Sequence, residues 1–433
     1  MARKAIRSGI CLPLVLITII LTCIGLVMVL SSSYNSAVLS SDADKAGLAE
    51  IFAPVKWQAV VAAVGIFAMF ILSRRDYHFF KKPHVKWSAY VIAIIALIAV
   101  FAFPPVNNAR RWIRFGSFTV QSSEIAKFAA IIYASVFTST NKWWYKSMQD
   151  WMRLLVPIGI IAVLILAEPD LSTTICLLAS IVIIMFISGM PWKFLIAGVG
   201  GIAALIPIMI VVKGYQSRRF QAWLGAWTDP KDVGYQVVQS LYAIGDGGLF
   251  GVGLGNSKQK ITHLPMSDTD YIFSIICEEF GFVGAIVVIG LYVGYAYYGY
   301  KIAMEARDSM GTYLATGVTT LVVLQAFINM AVATNVFPST GITLPFVSRG
   351  AASIGIMLAA TGLLLSVSAY KAKDNTVQEE GPPPRPSGRS SSGRTSLQNR
   401  QVQAKRSNGN KTSSQTSKAR RDYNRTSRSK RDR

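Results

Sequence analysis

Asp268 and Asp270 stand either side of Thr269 at the mouth of a long apolar run that goes on to carry Glu278 and Glu279. A carboxylate at a helix N-terminus is favoured by the dipole and can simply cap the helix. One at the boundary of water and lipid is also placed to accept a proton from a substrate hydroxyl. The Asp-x-Asp spacing could further hold a divalent cation between two phosphates, although so short a pattern has little specificity. Cations gather in other polar segments. Asn107-Asn-Ala-Arg-Arg-Trp-Ile-Arg114 contains three arginines, including Arg111, and the arginine fork matches phosphate. Glu124 and Lys127 share one face of an apolar helix, either as an ion pair locking helices together or as groups facing a watery cavity. Glu168-Pro-Asp170 reads as a tight turn in which proline ends one helix and Asp170 caps the next. Asn335 to Gly350, which includes Ser348, has Pro338, Gly341, Pro345 and Gly350 to break the backbone. Irregular backbone at membrane depth is tolerated where it lines a cavity.

The elements that must position these residues are apolar runs near 10–31, 54–73, 87–103, 122–138, 152–167, 171–189, 194–213, 271–300, 311–333 and 344–370. Hydrocarbon leaves no partner for free backbone groups, so runs of this length must be helices. The expected fold is an all-α polytopic membrane protein with about ten transmembrane helices over 1–370 and a large loop at 214–269. Within that loop, Gly234 to Gly255 lacks the preceding strand of a nucleotide site and reads as an amphipathic surface helix followed by a flexible turn. Loop 74–86 holds Arg74, Arg75, Lys81, Lys82 and Lys86, whereas 32–53 is acidic, so the positive-inside rule puts both termini in the cytoplasm. Every polar segment singled out above then lies on the outer face. The arginines of 107–114 and the cations of 214–269 stand on the side the rule disfavours, which a long loop explains for the second segment and an anion site explains better for the first.

Composition agrees. Hydrophobic residues make up 52% of the chain and charged residues 15%, well below the roughly 25% of soluble domains. Of the net charge of +22, residues 371–433 supply +12, from 17 Lys and Arg against 5 Asp and Glu. This Ser-, Arg- and Lys-rich tail cannot bury a core and reads as a disordered basic cytoplasmic arm suited to anionic lipids, with no call for nucleic acid. Cys11, Cys23, Cys176 and Cys277 lie in apolar runs without paired spacing, which excludes a disulfide framework or a zinc site.

Taken in order, these segments closely resemble the shape, elongation, division and sporulation (SEDS) polymerases, the family of FtsW, RodA and SpoVE. The resemblance spans roughly 10–370. It is carried by Ala109-x-Arg-Trp, Ser123-Glu-x-x-Lys127, Glu168-Pro-Asp-Leu, Gly234-Tyr-Gln with Ala243-Ile-Gly-x-Gly-Gly, Leu264-Pro, Thr269-Asp-Tyr-Ile-Phe, Glu278-Glu-x-Gly and Pro338-x-Thr-Gly-Ile-Thr-Leu-Pro-Phe-Val-Ser, whose wording leans to the FtsW side. The chain departs from the family pattern at Asn108, Ser172, Met266, Asp268 and Arg349-Gly-Ala-Ala.

The resemblance implies a peptidoglycan glycosyltransferase of the cytoplasmic membrane that polymerises lipid II on the outer face. It implies a class B penicillin-binding protein as partner, among other division proteins. It makes Asp270 the essential aspartate. With the charge placement, it suggests Arg111 and Lys127 as phosphate contacts and Glu124 as the group orienting Lys127, with Asp268, Thr269, Glu278, Glu279 and Ser348 lining the substrate site. The residues name no cofactor, although Asp268 and Asp270 could hold a divalent cation. A lipid II flippase or a non-catalytic scaffold would share many of these features, although no inverted repeat is visible in the sequence.

Overall fold

The computed structural model describes residues 9–39, 48–105, 110–115, 118–212, 214–232, 234–262, 264 and 267–370. The basic tail and the departures at Asn108 and Met266 lie outside them.

The chain begins with three helices, α1 (Leu12–Leu39), α2 (Leu48–Arg74) and α3 (Pro83–Ala99). A short antiparallel hairpin follows, β1 (Trp112–Phe115) and β2 (Phe118–Gln121), pairing Trp112 with Gln121. Next come α4 (Ser122–Thr140), α5 (Met148–Ala167), α6 (Leu171–Ile187) and α7 (Trp192–Val212). Within the large loop lie α8 (Gly214–Leu224), α9 (Tyr235–Asp246) and the single turn α10 (Gln259–Thr262). The chain returns through α11 (Ile272–Met304), α12 (Ser309–Ala333) and α13 (Ala351–Ala369). A long helix thus occupies each expected apolar run. Seven of them are long and apolar enough to cross a membrane: α1, α2, α3, α5, α11, α12 and α13. α6 and the described part of α7 are apolar but shorter.

α4 falls outside that set because its polar residues lower its hydropathy. It can carry them because protein surrounds it: every residue from Ala126 to Thr138 is buried, with α3, α6 and α12 packed around it. Several of its hydroxyls are satisfied within the helix, as where Ser135 and Thr138 donate to carbonyls one turn back.

Three details depart from expectation. Among the described residues the otherwise helical fold includes the β1–β2 hairpin, in which residues 112–114 of the arginine segment run as extended backbone. The last apolar run starts its helix only at Ala351, because Leu344–Ser348 forms a turn and Phe346 takes a positive φ of 67°. α11 is broken at Gly281 (φ 68°, ψ −164°), a backbone shape that side chains avoid.

That break receives the glycine-rich turn after α9. Gly248 and Leu249 carbonyls accept from Phe282 and Val283 N–H, while Val252 and Gly253 N–H donate to the Glu278 and Glu279 carbonyls. A Cβ at Gly247 would strike the Cys277 carbonyl and one at Gly251 the Glu279 carbonyl. The turn is therefore docked rather than flexible. Small residues serve the same close approach elsewhere: Gly362 of α13 lies against Met69 of α2, and Gly25 of α1 against the backbone of Phe346 and Val347.

Candidate active site

The described residues of segments 104–121, 168–170, 214–271 and 334–350 meet at one end of the bundle, where Arg111 bonds Glu168, Gln121 bonds Asp170, Arg219 bonds Ser339 and Arg349 bonds Asp268. The centre of this end is the turn 267–271, which α11 continues. Three of its carbonyls are held from neighbouring elements. Arg349 N–H donates to the Asp268 carbonyl (2.8 Å), Ser348 Oγ to that of Thr269 (2.6 Å), and Asn329 Nδ2 to that of Asp270 (2.9 Å). Asn329 Nδ2 also donates to the Ile342 carbonyl (2.7 Å), so α12 grips the turns before α11 and α13 with one amide.

With its backbone so fixed, the Asp270 side chain sits half-buried at the helix mouth, and among the described residues no hydrogen bond uses its carboxylate. Two guanidinium groups provide its cationic surroundings, those of Arg219 from α8 and Arg111 from the start of β1. Both converge on Gly341: a Cβ there would lie 3.4 Å from an Arg111 nitrogen and 3.5 Å from one of Arg219. Arg111 is buried, with Nε donating to the Glu168 carbonyl (3.1 Å) and a terminal nitrogen to that of Pro169. Arg219 Nη1 donates to the Ser339 carbonyl (3.2 Å). Burial lifts the Asp270 carboxyl to about 6, against the pull of Arg219 and Arg111 and with the push of Asp268 and Asp170. A carboxylate so tuned is ionised near neutrality yet basic enough to take a proton.

Beneath lies a polar layer. Asp170 caps α6 by accepting from Thr173 N–H (3.2 Å), as its position in the turn suggests, and also accepts from Gln121 Nε2 (3.1 Å). Glu168 accepts from Ser122 Oγ (2.7 Å), and burial pushes its carboxyl up to about 8. Lys127 Nζ donates to Glu124 Oε1 (2.7 Å) and Gln325 Oε1 (2.9 Å), and Gln325 Nε2 donates to the Thr343 carbonyl (3.2 Å). Of the two readings of Glu124 and Lys127, the structure has the ion pair, made within α4, and Lys127 ties that pair to Gln325 of α12 by a hydrogen bond. Lys127 is 1% exposed and Glu124 2%, so neither reaches the surface of the site.

Glu278 and Glu279 likewise serve the scaffold. Glu278 Oε1 accepts from Lys258 N–H (2.7 Å) and Gln259 N–H (3.2 Å), capping α10, while its other oxygen bonds Ser257. Glu279 accepts from Ser31 Oγ of α1 (2.9 Å) and pairs with Lys260. Ser348 is buried and used twice, accepting from Leu344 N–H (2.7 Å) and donating to Thr269. Asp268 is engaged by Arg349, Nη1 to Oδ2 at 2.8 Å, so a cation at the Asp-x-Asp segment would have to displace that arginine. Among the described residues no group of three or more His, Cys, Asp or Glu could hold a metal ion.

The structure therefore assembles Asp270, Arg111 and Asp268 with Arg219, Asn329 and Arg349. Gln325 and Asn329 are amides one helical turn apart in the otherwise apolar second half of α12, a legible signal of an inward polar face. Arg219 gave no such signal, being one of several cations in a long loop. Beside it, Leu171, Ile175, Phe220, Trp223, Phe337 and Pro338 help to wall an apolar cavity of about 190 Å³.

A bundle of apolar helices with a charged, partly buried cluster at one end defines a multi-pass membrane protein. The FtsW/RodA/SpoVE family of cell cycle proteins matches residues 12–373, and the chain belongs to this family. It is 36% identical to stage V sporulation protein E of Bacillus subtilis (strain 168), covering 83% of this chain and 97% of that protein. It is 35% identical to a probable peptidoglycan glycosyltransferase FtsW of Geobacter sp. (strain M18), covering 82% and 95% respectively. Its fold matches a chain of a peptidoglycan synthase complex that coordinates polymerization and crosslinking, at 25% identity and TM-score 0.66, covering 84% of this chain and 99% of that one. The rod shape determining protein RodA of Thermus thermophilus shares the fold at 22% identity and TM-score 0.58, with the same coverage of 84% and 99%.

Proposed function

We propose that this chain is a peptidoglycan glycosyltransferase that polymerises lipid II on the outer face of the cytoplasmic membrane, in cell division and with a class B penicillin-binding protein. The observation that carries this reading is Asp270, held by its backbone at a helix mouth and under the electrostatic pull of Arg111 and Arg219, whose guanidinium groups converge on Gly341. In the reaction, the 4-hydroxyl of one sugar attacks the anomeric carbon of another. The bond from that carbon to the lipid diphosphate breaks, and the hydroxyl proton passes to Asp270. The arginines meet the charge that grows on the departing diphosphate, where a fork-shaped cation is effective. The apolar cavity beside Arg219 suits the first units of the lipid tail. Loop charges support an outward orientation for this end. The FtsW-named relatives support the activity and the division role, and the synthase-complex neighbour supports a crosslinking partner. Residues 371–433 fit a basic arm resting on anionic lipid.

The test is synthesis of glycan strands from labelled lipid II by the purified chain with its cognate transpeptidase in detergent, where a flippase has nothing to do. Strands longer than the disaccharide support the reading. A folded, partner-bound chain that makes none refutes it.

A further inference from the structure

One ion pair at this end has no part in the reaction described above. Arg349 donates twice to Asp268, from Nη1 to the carboxylate and from its backbone N–H to the carbonyl, each at 2.8 Å. The two sides of this contact differ in how firmly they are held. Residues 344–349 form a rigid shelf: Ser348 N–H and Val347 N–H close the turn onto the Leu344 carbonyl, Tyr292 donates its hydroxyl to the Pro345 carbonyl, and Gly25 of α1 packs against Phe346 and Val347. Residues 267–271 are an irregular turn with Ser267, Asp268, Thr269 and Asp270 all partly exposed. The shelf grips this turn at Asp268 through Arg349 and at Thr269 through Ser348, immediately ahead of Asp270. The Arg349 side chain is 49% exposed and that of Asp268 20%, and ion pairs that wet contribute little to global stability. Their effect is local. Where a reacting group must lie within a fraction of an ångström of its target, a clamp one or two residues away decides the geometry.

We infer that Arg349 is a positioning residue, clamping Asp268 to the 344–349 shelf so that Asp270 is held at the geometry its reaction needs. This rests on Asp270 being the base. Arg349 and Asp268 touch neither sugar nor diphosphate in this role, so their loss acts on the chemical step rather than on substrate binding. The two side chains form one device, so removing either should cost as much as removing both.

The experiment is a double-mutant cycle of Asp268→Asn and Arg349→Met, assayed by lipid II polymerisation with the partner transpeptidase. Thermal unfolding and partner binding are measured in parallel. Each single variant should lower kcat by about 10- to 100-fold with KM little changed. The double variant should fall no further than the worse single, and Arg349→Lys, which keeps the charge, should recover part of the loss. Wild-type kcat in Arg349→Met would overturn the inference, as would losses that multiply in the double variant. A change confined to KM would instead make Arg349 a substrate contact. Loss of folded protein in Arg349→Met would make the pair a support of the fold, and would also overturn the positioning role. Should Asp270→Asn prove active, the base assignment fails first. An inactive Asp270→Asn beside a fully active Arg349→Met removes this inference alone.

Discussion

Lys127→Met probes what joins α4 to α12. Lys127 lies 2.7 Å from Glu124 Oε1 and 2.9 Å from Gln325 Oε1, at 1% exposure, and Glu124 Oε2 is buried with no hydrogen-bond partner among the described residues. Methionine fills similar space but strands a carboxylate in the middle of the bundle. Removing one partner of a buried pair costs about 3–5 kcal/mol, because the remaining charge stays uncompensated. At about 1.4 kcal/mol per tenfold, folding equilibrium should shift by roughly two to three and a half orders of magnitude. Adding Glu124→Gln removes the stranded charge, so the double variant should recover most of the loss. Thermal unfolding in nanodiscs reads the stability of each variant, and lipid II polymerisation per folded molecule reads the chemistry. A Lys127→Met protein as stable as wild type but catalytically dead, with no recovery on adding Glu124→Gln, would refute the structural role and restore Lys127 as a phosphate contact.

Other consequences can be checked with the same preparations. Polymerisation should rise with pH through about 6 and then level, because Asp270 must be ionised to accept a proton. Arg219→Gln should move that rise to higher pH, since Arg219 helps to keep the carboxyl down. Burial holds the Glu168 carboxyl neutral up to about 8, so between its ordinary range and that value the unfolded chain ionises while the folded one does not. Wild-type melting temperature should therefore fall from pH 5 to pH 8, and Glu168→Gln should fall less; equal slopes would contradict the neutral buried acid. Gly247→Ala should destabilise by about 1–3 kcal/mol or more, because its Cβ meets the Cys277 backbone. Gly245→Ala, with nothing within 4 Å of the added carbon, should be neutral or stabilise by about 0.5–1 kcal/mol, as melting curves would show.

The helices were legible because lipid leaves the backbone no alternative, and the clustering of Asp270 with Arg111 at one end of the bundle was legible because charge at a membrane surface needs a reason. Roles that depend on distant partners were not. Glu279 pairs with Ser31, which stands 248 positions away, and Glu278 caps a helix that begins 19 residues earlier, so neither could be told from a substrate ligand. The glycines after α9 look flexible until the break at Gly281 supplies the surface against which they pack. Asp268 and Arg349 stood out separately as departures from the family pattern, and their contact across 81 positions makes them one feature. For Lys127 the missing information is depth: the sequence places it on one face of α4 with Glu124, and the packing of α12 decides how far it lies from the surface.

The central claim is that Asp270 takes the proton from the attacking hydroxyl. Asp270→Asn keeps the shape of the side chain and leaves intact the backbone bond from Asn329 to residue 270. Purified with its partner transpeptidase, this variant should melt like wild type and make no glycan strands from lipid II at any pH. Strand synthesis at the wild-type rate would contradict the assignment of the base.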